Sequence, residues 1–142
     1  MFTVMLFLHV VGAAGLGYYL VLPFLIGRAS KLAGTGQEGL AEGLHTGNRF
    51  AQYFLVLQLL TGGYLVSQAD YSVLWMVLSV VLFLAVGALG GILSKPLKRI
   101  ASSIRSGQSA TEHIKRARTL SVIILVLVLV ILYIMQNPQQ FQ

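Results

Sequence analysis

The chain has 142 residues, of which 56% are hydrophobic and only 10% charged, with a formal net charge of +6 and no cysteine. That balance is far from a soluble domain and predicts an integral membrane protein. It excludes disulfides, thiolate ligands and iron–sulfur clusters, while the placement of the positive charges, taken up below, argues against nucleic acid as their partner.

A membrane-crossing helix needs about 20 mostly apolar residues to span a hydrocarbon core of ~30 Å. Four stretches qualify, at about residues 2–26, 49–67, 72–94 and 119–136. The expected fold is therefore all-α, a single integral membrane domain over residues 1–142 built as a four-transmembrane-helix bundle. The first stretch lacks a basic n-region and exceeds the apolar length of a signal peptide, so it reads as a retained span.

Segment one carries a histidine, His9, inside an apolar run, followed by Gly12, Ala13, Ala14, Gly15 and Gly17. Positions three, four and seven away share a helix face, so His9 shares its face with Met5, Gly12, Ala13 and Leu16. Membrane helices associate through close contact at small residues, which turns the imidazole into the bundle. The loop that follows contains Gly34, Gly36 and Gly39 in a G-x-G-x-x-G spacing. A dinucleotide fingerprint requires a strand before the glycines; here a membrane helix precedes them. Thr35 and Glu38 read instead as the cap of a short amphipathic turn with Leu40 and Leu44, and Thr46 or Asn48 as the cap of segment two.

Segments two and three bring Gly62 and Gly63, then Ala85, Gly87, Ala88, Gly90 and Gly91, including a Gly87/Gly91 small-xxx-small pair. The next loop, "KPLKRIASSIRSG", spaces Leu97, Ile100, Ala101 and Ile104 opposite Lys98, Arg99 and Arg105, with Pro96 at a helix start. It predicts a cytoplasmic interfacial amphipathic helix between helices three and four. Ser109 and Glu112 fit a capping box for segment four. That segment has no Gly or Ala within 119–136 and is expected at the periphery, leaving segments one to three as the tight core.

All ten Lys and Arg residues fall in the two longer loops, while both termini and the "SQADYS" turn have none. By the positive-inside rule both termini lie outside and both basic loops face the cytoplasm, as expected for a multi-pass protein of a bacterial inner (plasma) membrane. The default partner of that basic face is the bilayer itself, through anionic head groups.

With segment one starting near residue 2, His9 lies ~10 Å below its outer end at 1.5 Å per residue. Counting inward along the other segments places Gln58, Thr61, Met76 and Ser79 at the same depth, with Tyr64, Trp75, Tyr133 and Met135 nearer the interface. Two readings of this cluster stand side by side. In one, a neutral His9 is hydrogen-bonded by Gln58, Thr61 or Ser79 and orients the helices. In the other, His9 is a ligand, either to a b-type haem iron or, with Met5 and Met76, to copper as Cu(I). The spans hold no Asp, Glu, Lys or Arg deep within them and no paired acid, base or nucleophile, so the chain is not expected to be an enzyme by itself.

The stretches "LHVVGAAGLGYYLVLPFLIGRA" and "NRFAQYFLVLQLLTGGYLVS" resemble a superfamily of small four-helix membrane proteins that includes the copper-resistance D domain, a haem-containing protoporphyrinogen oxidase family and relatives of unknown function. The matching positions are His9, Gly17, Arg28, Thr61, Gly62 and Tyr64, all within about the first 70 residues. The oxidase pattern has a histidine near the inner end of helix one, where this chain has Ile26, Gly27 and Arg28; copper-associated members carry a Trp where Gly15 and Leu16 stand. The relatives of unknown function fit best. The resemblance implies a four-helix fold and a haem or copper site at His9, without a defined reaction. The alternative is a non-catalytic accessory subunit that packs against a larger membrane complex, respiratory or otherwise electron-transferring, or against copies of itself.

Overall fold

The computed structural model describes residues 1–141 and contains only helices among them. The elements are α1 (Phe2–Gly15), α2 (Tyr18–Ala29), α3 (Gly34–Ser67), α4 (Val73–Arg105), α5 (Thr111–Gln136) and a short 3₁₀ turn at Pro138–Phe141. Taking α1 and α2 as one span, four helices are long and apolar enough to cross a membrane. Large apolar side chains such as Phe24, Val56, Val81, Leu84, Val126 and Leu129 are exposed on every one of them, as a lipid-facing surface requires. The start of α1, the α3–α4 turn and the end of α5 lie at one end of the bundle, the terminal end; the α2–α3 and α4–α5 connections, with the helix ends that carry the Lys and Arg residues, lie at the other, the basic end.

The first span is not a uniform helix. At Leu16–Gly17 the backbone tightens, with Gly17 N–H donating to Ala14 O, Tyr19 N–H to Leu16 O and Leu20 N–H to Gly17 O, each at 3.0 Å. These are i→i−3 bonds of the 3₁₀ type. Pro23, inside α2, supplies the cause: it lacks an N–H for the carbonyl of Tyr19 and its ring crowds that carbonyl, so the distortion appears a turn before it.

The first loop is far shorter than the sequence implied. α3 begins at Gly34, with Ala33 at its N-cap and no side-chain cap, so neither Thr35 and Glu38 nor Thr46 and Asn48 act as helix starts. Asn48 lies mid-helix and is fully buried. Gly34, at φ +60°, makes the turn into α3, and the glycine triplet winds within its first turns rather than forming a phosphate loop. Tertiary packing overrides the weak helix propensity of this stretch: Ala41 and Leu44 are buried against the bundle, and the Tyr18 hydroxyl donates to Leu44 O at 2.5 Å. Gly47 makes that approach possible, because a Cβ there would stand 2.7 Å from the Tyr18 ring.

α4 likewise runs unbroken through Pro96 to Arg105, and the amphipathic stretch is its continuation. Its apolar face is covered by protein, with Pro96, Leu97, Ile100 and Ala101 all buried. No separate interfacial helix is present there. At 34 and 33 residues, α3 and α4 are each about 50 Å long and exceed the hydrocarbon core by about 20 Å. Their projecting ends are tied together by Arg105, which pairs with both Glu38 and Glu42.

α5 starts at Thr111, eight residues before the expected boundary, and Ser109 accepts from Thr111 N–H (3.3 Å) without forming the capping box. The earlier start brings in Ala117, which with Ser121 is wholly buried. α5 packs along α4 and α2 and adds Ile114, Ile124 and Val128 to the core. It is an integral wall of the bundle, not a peripheral helix.

The neighbours run α2–α3–α4–α5 and back to α2, which closes the basic half as a ring. Leu22, Ile26, Leu93, Leu97 and Ile100 are almost wholly excluded from the surface there. Above the 3₁₀ turn, α1 packs on α3 but makes no extended contact with α4 or α5 among the described residues. The terminal half is therefore less tightly filled, and the cavity lies in it.

Candidate functional site

α1 and α3 are held together by glycines on one helix and long side chains on the other. At Gly12 an added Cβ would run into the Gln58 carboxamide, and at Gly15 into the Phe54 ring. This close approach sets His9 beside α3, where its Nδ1 stands 2.9 Å from Thr61 Oγ1. Gly62 leaves room for the ring, since a Cβ at that position would lie 3.2 Å from His9 Cε1. Of the neighbours expected from the sequence, Thr61 is thus the hydrogen-bond partner, and the small-residue face does point the imidazole into the bundle.

The proton arrangement follows from Thr61. Its hydroxyl has one proton, donated to Leu57 O at 2.7 Å in the usual back-bond of a helical threonine. With its proton in that back-bond, Thr61 Oγ1 is the acceptor for His9, an arrangement that puts the imidazole proton on Nδ1. Nε2 is left as the nitrogen with a free lone pair, and it has no hydrogen-bond partner among the described residues.

His9 lines a cavity of about 510 Å³ in the terminal half, bounded by α1, α3, α4 and α5 and reached from below by Leu20 of α2. Its walls are mainly aliphatic and aromatic, including Leu16, Leu20, Phe83, Val128 and Ile131. Met76, Ser79 and Gln58 share it with His9; Met5, one turn before His9, does not belong to its lining. Most polar groups in the wall are already engaged. Ser79 Oγ donates to Trp75 O at 2.7 Å and Trp75 Nε1 donates to Ile134 O at 2.8 Å. Trp75 is accordingly buried, and Tyr71 stacks on it with centroids 4.4 Å apart.

Gln58 is the exception. It is buried to 7% exposure, and its Oε1 has no partner. An unpaired buried amide oxygen costs about 1 to 3 kcal/mol, and such groups collect where function requires them. The wall thus offers two unsatisfied positions on facing helices, the lone pair of His9 on α1 and the carboxamide oxygen of Gln58 on α3.

Sequence reasoning missed a second polar cluster below the cavity. The Tyr19 hydroxyl donates to Asn48 Oδ1 and accepts from Gln52 Nε2, both at 2.9 Å, while Asn48 Nδ2 donates to Gly90 O at 2.9 Å. Gly90 is needed for this, as a Cβ would collide with the Gln52 amide and the Tyr19 hydroxyl. The network joins α2, α3 and α4 at one level, engaging the Tyr19 hydroxyl and one N–H of each amide, and so locks these helices together. The available signal was the pairing of Asn48 and Gln52 four residues apart, on the face of α3 that also carries Ala51 and Leu55. His45 and His113 lie on α3 and α5 away from the cavity, so the chain brings no second histidine to His9.

Comparison with family models, with curated proteins and with solved structures finds no match for this chain.

Proposed function

We propose that this multi-pass protein binds b-type haem, or a similarly flat apolar ligand, in the cavity of its terminal half, with His9 Nε2 as the ligating atom. The observation that carries this reading is the 2.9 Å contact between His9 Nδ1 and the Thr61 hydroxyl, which, with Thr61 back-bonded to Leu57 O, supports an Nδ1–H tautomer with Nε2 as the base. Metal-bound histidines are held in this way, with the second ring nitrogen donating to a fixed acceptor. The fit is supported by a cavity of about 510 Å³, within the ~300 to 1,000 Å³ common for ligand sites, and by walls apolar enough for a macrocycle. When bound, haem supplies one-electron chemistry; the chain's residues orient the imidazole and exclude water. Met76 and Met135 share the cavity with His9 while Met5 does not, so the copper set of His9, Met5 and Met76 is not brought together there.

The resemblance to the copper-resistance D and haem-protein-like group agrees with this assignment. The distribution of Lys and Arg supports both termini outside and both basic loops on the cytoplasmic face of a bacterial inner membrane. No acid, base or nucleophile accompanies His9, so the role is to carry a cofactor rather than to catalyse unaided.

The test uses Trp75, the chain's single tryptophan, which lines the cavity. In mild detergent, bound haem gives a Soret band with α and β bands on reduction and quenches Trp75 fluorescence. Both signals are lost in His9→Ala. A preparation that stays colourless, is not quenched by added hemin and co-purifies with larger membrane subunits would favour the accessory-subunit reading instead.

A further inference from the structure

A second cavity, of about 480 Å³, lies between α3 and α4 at the basic end, away from His9. Two facing helical stripes build it. On α3 the positions are His45, Asn48, Arg49 and Gln52; on α4 they are Gly91, Ser94, Lys95 and Lys98. Each set follows the i, i+3, i+4, i+7 spacing of a single helix face, so two helices turn cations toward one space. Asn48 and Gln52, fixed by Tyr19 and Gly90, form its polar floor. His45 Nδ1 stands 3.5 Å from Ser94 Oγ across it.

The charge in this pocket is uncompensated. Among the described residues the carboxylates Glu38 and Glu42 pair with Arg105, and no carboxylate lies within 4.0 Å of Arg49, Lys95 or Lys98. Three fixed positive charges around a polar floor are a complement to a dianionic or monoanionic oxyanion. The level matches as well. The long apolar run of α4 gives way at Ser94 and Lys95, and the exposed aromatics Phe50 and Tyr53 flank Arg49 on α3, as aromatics do at a membrane boundary.

A separate feature extends the pocket. Gly87 and Gly91, the small-xxx-small pair of α4, serve no close packing here, for a Cβ at either would meet nothing within 4 Å. They leave a trough on α4 that leads from the cations toward the hydrocarbon. The geometry points to a phosphate-binding site whose occupant is a phosphate group, with the trough taking the acyl chain when that phosphate belongs to an anionic lipid.

The test is lipid and phosphate binding to the full-length protein in a neutral detergent, followed by native mass spectrometry and thermal melting. The probes are phosphatidylglycerol, phosphatidylcholine and inorganic phosphate. Stabilisation by phosphatidylglycerol alone identifies a lipid headgroup; equal stabilisation by inorganic phosphate identifies the free anion, and both support the site. Lys95→Gln with Lys98→Gln should weaken the binding on the order of 30-fold, while Lys115→Gln with Arg116→Gln, the same charge change on α5, leaves it intact. Gly91→Val, which fills open space without altering charge, should also weaken it and decides the matter if the lysine variant does not fold. Equal loss in both double variants, unchanged binding in Gly91→Val, or no preference for either phosphate probe over phosphatidylcholine would overturn the assignment.

Discussion

Replacing Thr61 by valine tests the proposed cofactor site at its support rather than at its ligand. Valine keeps the shape of threonine at this buried position but exchanges the hydroxyl for a methyl, so His9 loses the acceptor that lies 2.9 Å from Nδ1. The back-bond to Leu57 also disappears, without an orphan, because that carbonyl keeps its place in the helix. In the unliganded protein one interhelical hydrogen bond is lost, about 0.6 kcal/mol on average and at most about 1.7. Melting should fall only modestly. The larger effect is on the ligand, since removing the group that orients a metal-bound histidine costs about 10- to 100-fold in affinity, equivalent to about 1.4 to 2.7 kcal/mol. Hemin titration read by Trp75 quenching measures it directly, and Thr61→Ser, which retains a hydroxyl able to make both bonds, should stay within a few-fold of wild type. A Thr61→Val protein that melts normally and binds hemin as tightly as wild type would refute the argument that Thr61 sets the tautomer and aim of His9.

Three other outcomes are expected. Gly12→Ala should destabilise by about 1 to 3 kcal/mol through overpacking against Gln58, whereas Gly87→Ala, with nothing within 4 Å of its added carbon, should be neutral or gain up to about 1 kcal/mol from helix propensity; detergent melts of the pair make the comparison. Tyr19→Phe removes the hydroxyl that bonds Asn48 and Gln52 and should cost about 1 to 3 kcal/mol, read as an earlier melt, because the buried Asn48 and the half-buried Gln52 lose their partner at once. A reporter fused after Gln142 should be active only when it requires the external side, and activity of a cytoplasm-only reporter would reverse the topology.

The spans were legible because hydropathy over a membrane-length window is a strong signal, and His9 could be placed because helical periodicity ties it to Gly12 and Ala13. Its meeting with Thr61 followed from depth alone. The helix boundaries at the basic end were not legible. Residues 34–48 hold five glycines and have poor intrinsic propensity, yet Tyr18, from a different helix, packs against Gly47 and bonds Leu44. Such a tertiary contact leaves no local trace. For the same reason Asn48 resembled a cap when read locally, although its role is to join Tyr19 to Gly90. The start of α5 was placed late because its first two turns carry Lys115, Arg116 and Arg118, which masks the buried face made by Ile114, Ala117 and Ser121.

Among the described residues α1 makes no extended contact with α5, and this shapes how a ligand reaches the cavity. Val10 on α1 and Leu132 on α5, both in the cavity wall, are also exposed on the outside of the bundle, so the entrance faces hydrocarbon instead of water. A molecule that dissolves in lipid then meets the protein from within the bilayer, where partitioning has already raised its concentration. Apparent affinity measured against aqueous ligand becomes the product of a partition coefficient and an intrinsic binding constant. Diluting the protein with more detergent or lipid at fixed total ligand should weaken occupancy, even though no contact inside the cavity has changed.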